Sequence, residues 1–278
     1  MQQIYVKEML SVMNIKELIS VINEIAPEEL QESWDNSGIQ INADPEKDIR
    51  KIMTCLEISD AVVDEAVEKG VDVVVTHHPL IFSKLAKIDA ENIVGGQIVK
   101  LVKNGISVYS SHTAFDSASH GTNQDLAEQL DLKDITPMEP ADGHPGCGMG
   151  RYGIYREPVY FGDFIEDVAE ICPDAEIRVA GPVPEHVKKV ALCTGAGAEF
   201  IDEAYENGAD VYITGDVKYH DARHADDIGL CVVDAGHYGT EVLFSRNMAH
   251  LLINALDEKH LLDDVEVFPS ETNIDPFR

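Results

Sequence analysis

Thirteen residues of this 278-residue chain occur twice in closely similar form: residues 64–76 read DEAVEKGVDVVVT and residues 202–214 read DEAYENGADVYIT. At this offset of 138 positions eight of the thirteen are identical, among them Asp64/Asp202, Gly70/Gly208 and Thr76/Thr214. The same offset pairs Lys51 with Lys189 and Cys55 with Cys193. A repeat constrains a fold strongly, because each copy must form the same supersecondary unit. Each copy opens on a short apolar strand, 51-KIMTCLEI or 189-KVALCTGA. In the first copy Ser59-Asp60 predicts an N-cap, Ala61, Val62, Glu65, Ala66 and Lys69 keep helical register, and Gly70 ends the helix. VDVVVTHH or ADVYITGD follows, a β-branched run suited to a buried strand. Strand, helix, strand is a βαβ unit, so parallel strands are expected.

The duplication continues. The first copy gives 105-GISVYSSHTAFD and the second 229-GLCVVDAGHYGTE; one inserted residue aligns His112 with His237 and Asp116 with Glu241. Both copies therefore place His-x-x-x-carboxylate just beyond a strand. The expected fold is α/β, with two similar lobes facing one another across a shared cleft. Residues 1–140 form the first lobe, with the HHP and HTAFD motifs. Residues 141–278 hold a connecting segment and the second lobe, with TGDVKYH and GHYGTE. The Pro- and Gly-rich stretches 137-PMEPADGHPGCGMGRYG and 180-AGPVPEH read as loops flanking a small strand and helix at 158–172.

Composition narrows the function. With 51 acidic against 21 basic residues the net charge is −30, which opposes binding to a nucleic-acid backbone and suits cations. MQQIYVKEML lacks an apolar leader, and no stretch approaches the ~18 apolar residues of a membrane span; a cytoplasmic protein without a membrane partner is expected. Five scattered cysteines without a C-x-x-C pair argue for reduced, buried thiols. His144-Pro-Gly-Cys147 has a ligand-like spacing but sits among four glycines and reads as a flexible loop.

Ligands in open α/β sheets collect beyond the carboxyl ends of strands, where the chemically active residues lie. His77-His78 closes a strand and Pro79 turns the chain, so both rings can approach one cleft. His237 and Glu241, spaced i and i+4, share a face of a helix that begins near His237. Asp116 adds a second carboxylate. Three imidazoles and two carboxylates suit two divalent transition-metal ions, Zn, Fe, Mn, Co or Ni, better than Ca or Mg. Such a site would hold a bridging hydroxide as nucleophile and attract a small anionic or phosphorylated substrate. His112 is either a further ligand or a group orienting Asp116 or a substrate. Lys218 and His220, at the second strand end, are candidates for charge neutralisation and proton transfer, or a polar rim. Trp34, in 34-WDNSGIQ, reads as a core residue beside a turn.

WDNSGIQ, VVVTHHPLIF, SSHTAFDSASHGTN, ADVYITGDVKYHDARHA, VVDAGHYGTE and SETNIDPF, in this order, resemble the motifs of the NIF-three-like dinuclear metal-centre family, also called the GTP cyclohydrolase I type 2 family. The resemblance spans essentially the whole chain. It implies interlinked lobes, a di-metal cleft and ring-shaped homo-oligomers, commonly hexamers. It implies that His78 and Asp116 bind one ion, that His77 and His237 bind the other, and that Glu241 bridges both. Ala114-Phe115 stands where the family more often has Asn-Leu, which bears on substrate contacts, and the inserted domain of longer members is absent. The function so implied is a metal-dependent, GTP cyclohydrolase-like hydrolase. A phosphoesterase, or a non-enzymatic metal-binding scaffold or metallochaperone, fits the same residues.

Overall fold

The computed structural model describes residues 13–172 and 176–277; the opening decapeptide, read above as lacking a leader, lies outside them. The first half runs α1 (Ile15–Ile25), β1 (Gly38–Ile41), β2 (Lys51–Cys55), α2 (Asp60–Lys69), β3 (Val73–Thr76), α3 (Ile93–Lys103), β4 (Ser107–Ser110), α4 (Thr113–Ser117) and α5 (Thr122–Gln129). Then come β5 (Lys133–Thr136), the two-residue strands β6 (Glu139–Pro140) and β7 (Gly148–Met149), β8 (Arg151–Tyr160), α6 (Phe161–Ile171) and β9 (Arg178–Ala180). The second copy follows as β10 (His186–Leu192), α7 (Ile201–Glu206), β11 (Val211–Thr214), α8 (Tyr219–Ile228), β12 (Cys231–Asp234) and α9 (His237–Glu241). The chain closes with α10 (Leu243–Glu258) and β13 (Glu266–Pro269).

The repeat folds as the same parallel unit twice. β2, β3 and β4 are parallel neighbours in a five-stranded sheet of order β1-β4-β3-β2-β13. β10, β11 and β12 are parallel neighbours in a six-stranded sheet of order β5-β8-β10-β11-β12-β9. Local signals work as read: the Ser59 hydroxyl accepts from the Val62 amide at 3.2 Å to start α2, and Gly70 ends it at φ 65°. Each copy's strands are covered on both faces, which explains their nearly unbroken apolar runs. Alternate residues serve opposite faces. Ile52, Val73 and Val75 pack with α1 and α10, whereas Met53, Val74 and Val108 pack with α2 and α3. In the second sheet Val190, Val211 and Val233 face α5 and α6, and Ala191, Tyr212 and Val232 face α7 and α8.

The chain crosses between the sheets. α5 and β5 precede residue 140 yet belong with the second sheet, and β13 returns to the first, pairing in parallel with β2 from Glu266↔Lys51 to Pro269↔Thr54. α10 carries the return, burying Phe244, Met248, Leu252 and Leu256 in the first lobe's core. The helix expected within 158–172 is α6; its strand starts earlier, at Arg151, because β8 pairs along β10 through a bulge between Val187 and Lys189. Arg151 is fully buried where the lobes join and donates to the carbonyls of Ala118, Gly148 and Gly150 at 2.6–2.7 Å. Among the described residues no helix is long and apolar enough to cross a membrane.

Candidate metal centre

Three strand ends converge. His77 and His78 follow β3, Asp116 lies in α4 after β4, and α9 after β12 begins at His237 and ends at Glu241. These are the carboxyl ends of parallel strands from both sheets; His78, Asp116, His237 and Glu241 line one cleft of ≈ 670 Å³, and His77 is buried against it. The two tandem rings lie 5.2 Å apart. His77 is fully buried, its Nδ1 at 3.0 Å from the Ser111 carbonyl, so Nε2 points at the carboxylates. That Nε2 stands 3.6 Å from Asp116 Oδ1 and 3.7 Å from Glu241 Oε1. Glu241 Oε2 lies 2.9 Å from His78 Nε2 and 2.8 Å from His237 Nε2.

Among the described residues three ligand-sized groups result: His77–Asp116–Glu241 and His78–His237–Glu241, with Glu241 common to both, and His77–His78–His112. This grouping differs from the one the resemblance implied, which joined His78 to Asp116 and His77 to His237. The reason is the strand end. His77 turns inward toward α4 and His78 outward toward α9, as successive side chains do where a strand's ladder persists; the amides of both still donate to Cys55 and Leu56 carbonyls at 3.1 and 2.9 Å.

The electrostatics are those of a site built for cations. Burial alone would push the Glu241 carboxyl up, but the imidazoles of His237, His77 and His78 set against it hold it well below the carboxylate range. Burial and the Glu241 charge raise Asp116 against the pull of His77. Burial would lower His78 and His237, yet Glu241 with Glu57 pushes the first up to about 10, and Glu241 with Asp216 pushes the second up to about 9. Of two buried ring nitrogens, His77 Nε2 has no partner within hydrogen-bonding reach, and His237 Nε2, though 2.8 Å from Glu241 Oε2, is not in hydrogen-bonding geometry with it. Unsatisfied buried nitrogens are costly, and both are turned to the same carboxylate. The donor set and these buried nitrogens fit a metal ion.

The surrounding residues fix the donors. Asp216, at φ 55°, accepts from His237 Nδ1 at 2.8 Å, leaving Nε2 for the cleft. Thr122 donates to Asp116 Oδ1, and Asn123 to the Asp116 carbonyl at 3.1 Å. Gly195, at φ 69°, lies so close that a Cβ there would stand 2.0 Å from Glu241 Oε1. Neither Gly195 nor Asp35 was singled out by the sequence. For Gly195 the signal was present: the repeat offset sets it opposite Glu57, as it sets Gly215 and Asp216 opposite His77 and His78.

His112 lines the cleft, and one of its nitrogens falls within ligand distance of His77 and His78. Its Nδ1 is 2.9 Å from Asp35 Oδ1. The Asp35 side chain is buried and also accepts from the Thr113 amide and hydroxyl and from Ser37. These bonds outweigh burial and hold its carboxyl well below the usual range. Trp34 is not a core residue: it is 60% exposed and lines the cleft, its ring 5.9 Å from His112 and 6.3 Å from Phe82. It is carried out of the core by the turn that buries Asp35 beside it. Lys218 and His220 stand exposed at the start of α8, outside the residues lining this cleft. His144 Nε2 lies 3.2 Å from Glu29, and all five cysteines are free thiols.

Residues 13–276 match the family model Duf34/NIF3 (NGG1p interacting factor 3). The chain belongs to this family. Among its NIF3 relatives, a GTP cyclohydrolase 1 type 2 homolog of Clostridium perfringens is 33% identical, over 95% of this chain and 99% of that one. NIF3-like protein 1 of Drosophila melanogaster is 31% identical over 94% of this chain and 88% of its own length. A crystal structure of a Bacillus cereus protein related to NIF3 superposes with a TM-score of 0.88 at 26% identity, covering 97% of this chain and all of that one.

Proposed function

We propose that this protein is a dinuclear, metal-dependent hydrolase, with His77 and Asp116 holding one divalent ion, His78 and His237 the other, and Glu241 shared. The observation that carries this reading is the convergence of the His77, His78 and His237 Nε2 atoms on the one buried Glu241 carboxylate, with His77 Nε2 buried and no hydrogen-bond partner in reach. Zn, Fe, Mn, Co and Ni all suit such donors. When bound, the ions supply a water acidified to near neutrality and positive charge against a developing oxyanion.

The chain's own residues do the rest. Asp35 holds a proton on His112 Nδ1, which leaves Nε2 as a base facing the cleft. His112 can take a proton from the attacking water and return it to the leaving nitrogen as the carbon–nitrogen bond breaks. Trp34 and Phe82 wall the same cleft. The names of the curated relatives, GTP cyclohydrolase 1 type 2 homologs, support ring opening at a C–N bond as the reaction class. Lys218 and His220 have no part in this reading.

The test begins with elemental analysis of protein purified without added metal, beside the His77→Ala/Glu241→Ala double variant. About two transition-metal ions per chain, lost in the variant, are expected. The loaded protein should then hydrolyse cyclic amidine or amide substrates, with turnover lost in His112→Ala at unchanged metal content. Metal content indifferent to the double substitution would overturn the site. Full loading without turnover on any substrate would leave a metal-binding scaffold.

A further inference from the structure

The cleft over the donors is lined by two unlike sets of residues. Trp34 and Phe82, 60% and 61% exposed, form an aromatic ledge against His112, with ring centroids 5.9–6.4 Å apart. Large aromatic faces left open beside a polar site are platforms for stacking. The same cleft is lined by Glu32, Glu57, Glu139, Glu199 and Glu203, and among the described residues no Lys or Arg lines it. The crowding is felt by Glu203, whose carboxyl is raised first by burial and then by the charges of Glu139 and Glu206.

Resting on the reading above, two divalent ions less the Asp116 and Glu241 charges leave about +2 at the centre. The five glutamates outweigh that. A nucleoside triphosphate, with roughly four negative charges, would meet a net negative wall on entry. A ring carrying N–H donors would instead find acceptors.

We propose that the cleft takes a planar nitrogen heterocycle that is uncharged or cationic, stacked on Trp34 and Phe82 with its N–H edge toward the glutamates, and that it disfavours nucleoside triphosphates. The phosphorylated substrate expected from the ions alone gives way to this class, because the glutamates set the sign of the entrance.

Trp34 is the only tryptophan of the chain, so its fluorescence reports on this ledge directly. The protein as purified is titrated with guanosine, with the cation 1-methylnicotinamide and with GTP, its metal content measured on the same sample. Guanosine and 1-methylnicotinamide should quench saturably. GTP should bind at least about tenfold more weakly than guanosine at low salt, and added salt or Glu199→Gln/Glu203→Gln should narrow the gap. GTP binding as tightly as guanosine overturns the proposal, and so does the absence of saturable quenching by either ring. A blue-shifted Trp34 emission insensitive to acrylamide would mean that another copy of the chain covers the ledge, which also overturns it. A sample without metal refutes the hydrolase reading instead, and the ranking of the three probes then stands or falls on its own.

Discussion

Replacing Gly195 by alanine should empty the metal centre without touching a donor. The added Cβ would stand 2.0 Å from Glu241 Oε1 and 2.9 Å from its Cδ, whereas real Cβ contacts essentially never fall below 3.0 Å. The oxygen must therefore retreat by at least the difference, 1.0 Å. Metal–ligand distances tolerate about 0.2 Å. Glu241 has little room to comply, since its side chain is 5% exposed and held between His78 and His237. Losing the shared donor should weaken metal affinity by about 100-fold, roughly 2.8 kcal/mol. The substitution also forces alanine into the left-handed region at φ 69°, at about 1 kcal/mol. Gly208→Ala supplies the control. It bears the same backbone cost at φ 70° with nothing within 4 Å of the new Cβ. Metal affinity is read by competition with a chromophoric chelator, and stability by denaturant melts of both variants. Gly195→Ala binding metal as tightly as Gly208→Ala would refute the argument that Glu241 is positioned by a missing Cβ.

Asp35→Asn removes the anionic acceptor that fixes His112; turnover should fall about 10- to 100-fold with two metals still bound, and an unchanged kcat would remove His112 from the chemistry. Arg151→Met takes the guanidinium from three buried carbonyls, of which Ala118 and Gly150 keep amide donors in Gly121 and Met138 while Gly148 loses a charged donor, and should cost about 2 kcal/mol in urea unfolding; a loss under about 0.5 kcal/mol would show that water replaces the guanidinium. Glu65 accepts from Ser270, Thr272, the Glu271 amide and Lys69, which together overcome burial and depress its carboxyl from 4.5 to about 2. A depressed folded value means the stabilisation is complete above pH 4.5 and is lost as pH falls toward 2. Unfolding midpoints of the native chain should drop across that window relative to Glu65→Gln, and parallel curves would refute the link between α2 and the tail.

The parts legible in the sequence are those that repeat. Eight shared residues announced the strand–helix–strand unit, and both copies fold as parallel strands in the order of the chain. His77, His78, Asp116, His237 and Glu241 stand out because each follows a strand, and their ligand atoms lie close enough for the groups His77–Asp116–Glu241 and His78–His237–Glu241. What stayed hidden depends on residues distant in the chain. Trp34 looked like core because only the fold shows that the turn burying Asp35 turns the indole outward. Gly195 is ordinary until Glu241, from another element, arrives beside it. The two copies also diverge in what equivalent residues do: Glu65 ties down the C-terminal segment, while its counterpart Glu203 lines the cleft. No periodicity reports that β13 rather than a neighbouring strand completes the edge of β2, since parallel partners carry the same apolar pattern wherever they lie.

That returning strand makes the second lobe a parenthesis inside the first. β2 forms early in the chain, yet its outer edge stays open until β12, α9 and α10 have been laid down and β13 docks. An unpaired edge of this kind invites pairing with foreign strands, and so distant a closure slows folding. Neither half of the chain cut near residue 140 should hold a finished sheet or a metal centre, whereas both halves present together should restore each at once. The helix that bears the weight of this closure begins two residues after Glu241, so the same event that seals the first sheet brings the last donor into place.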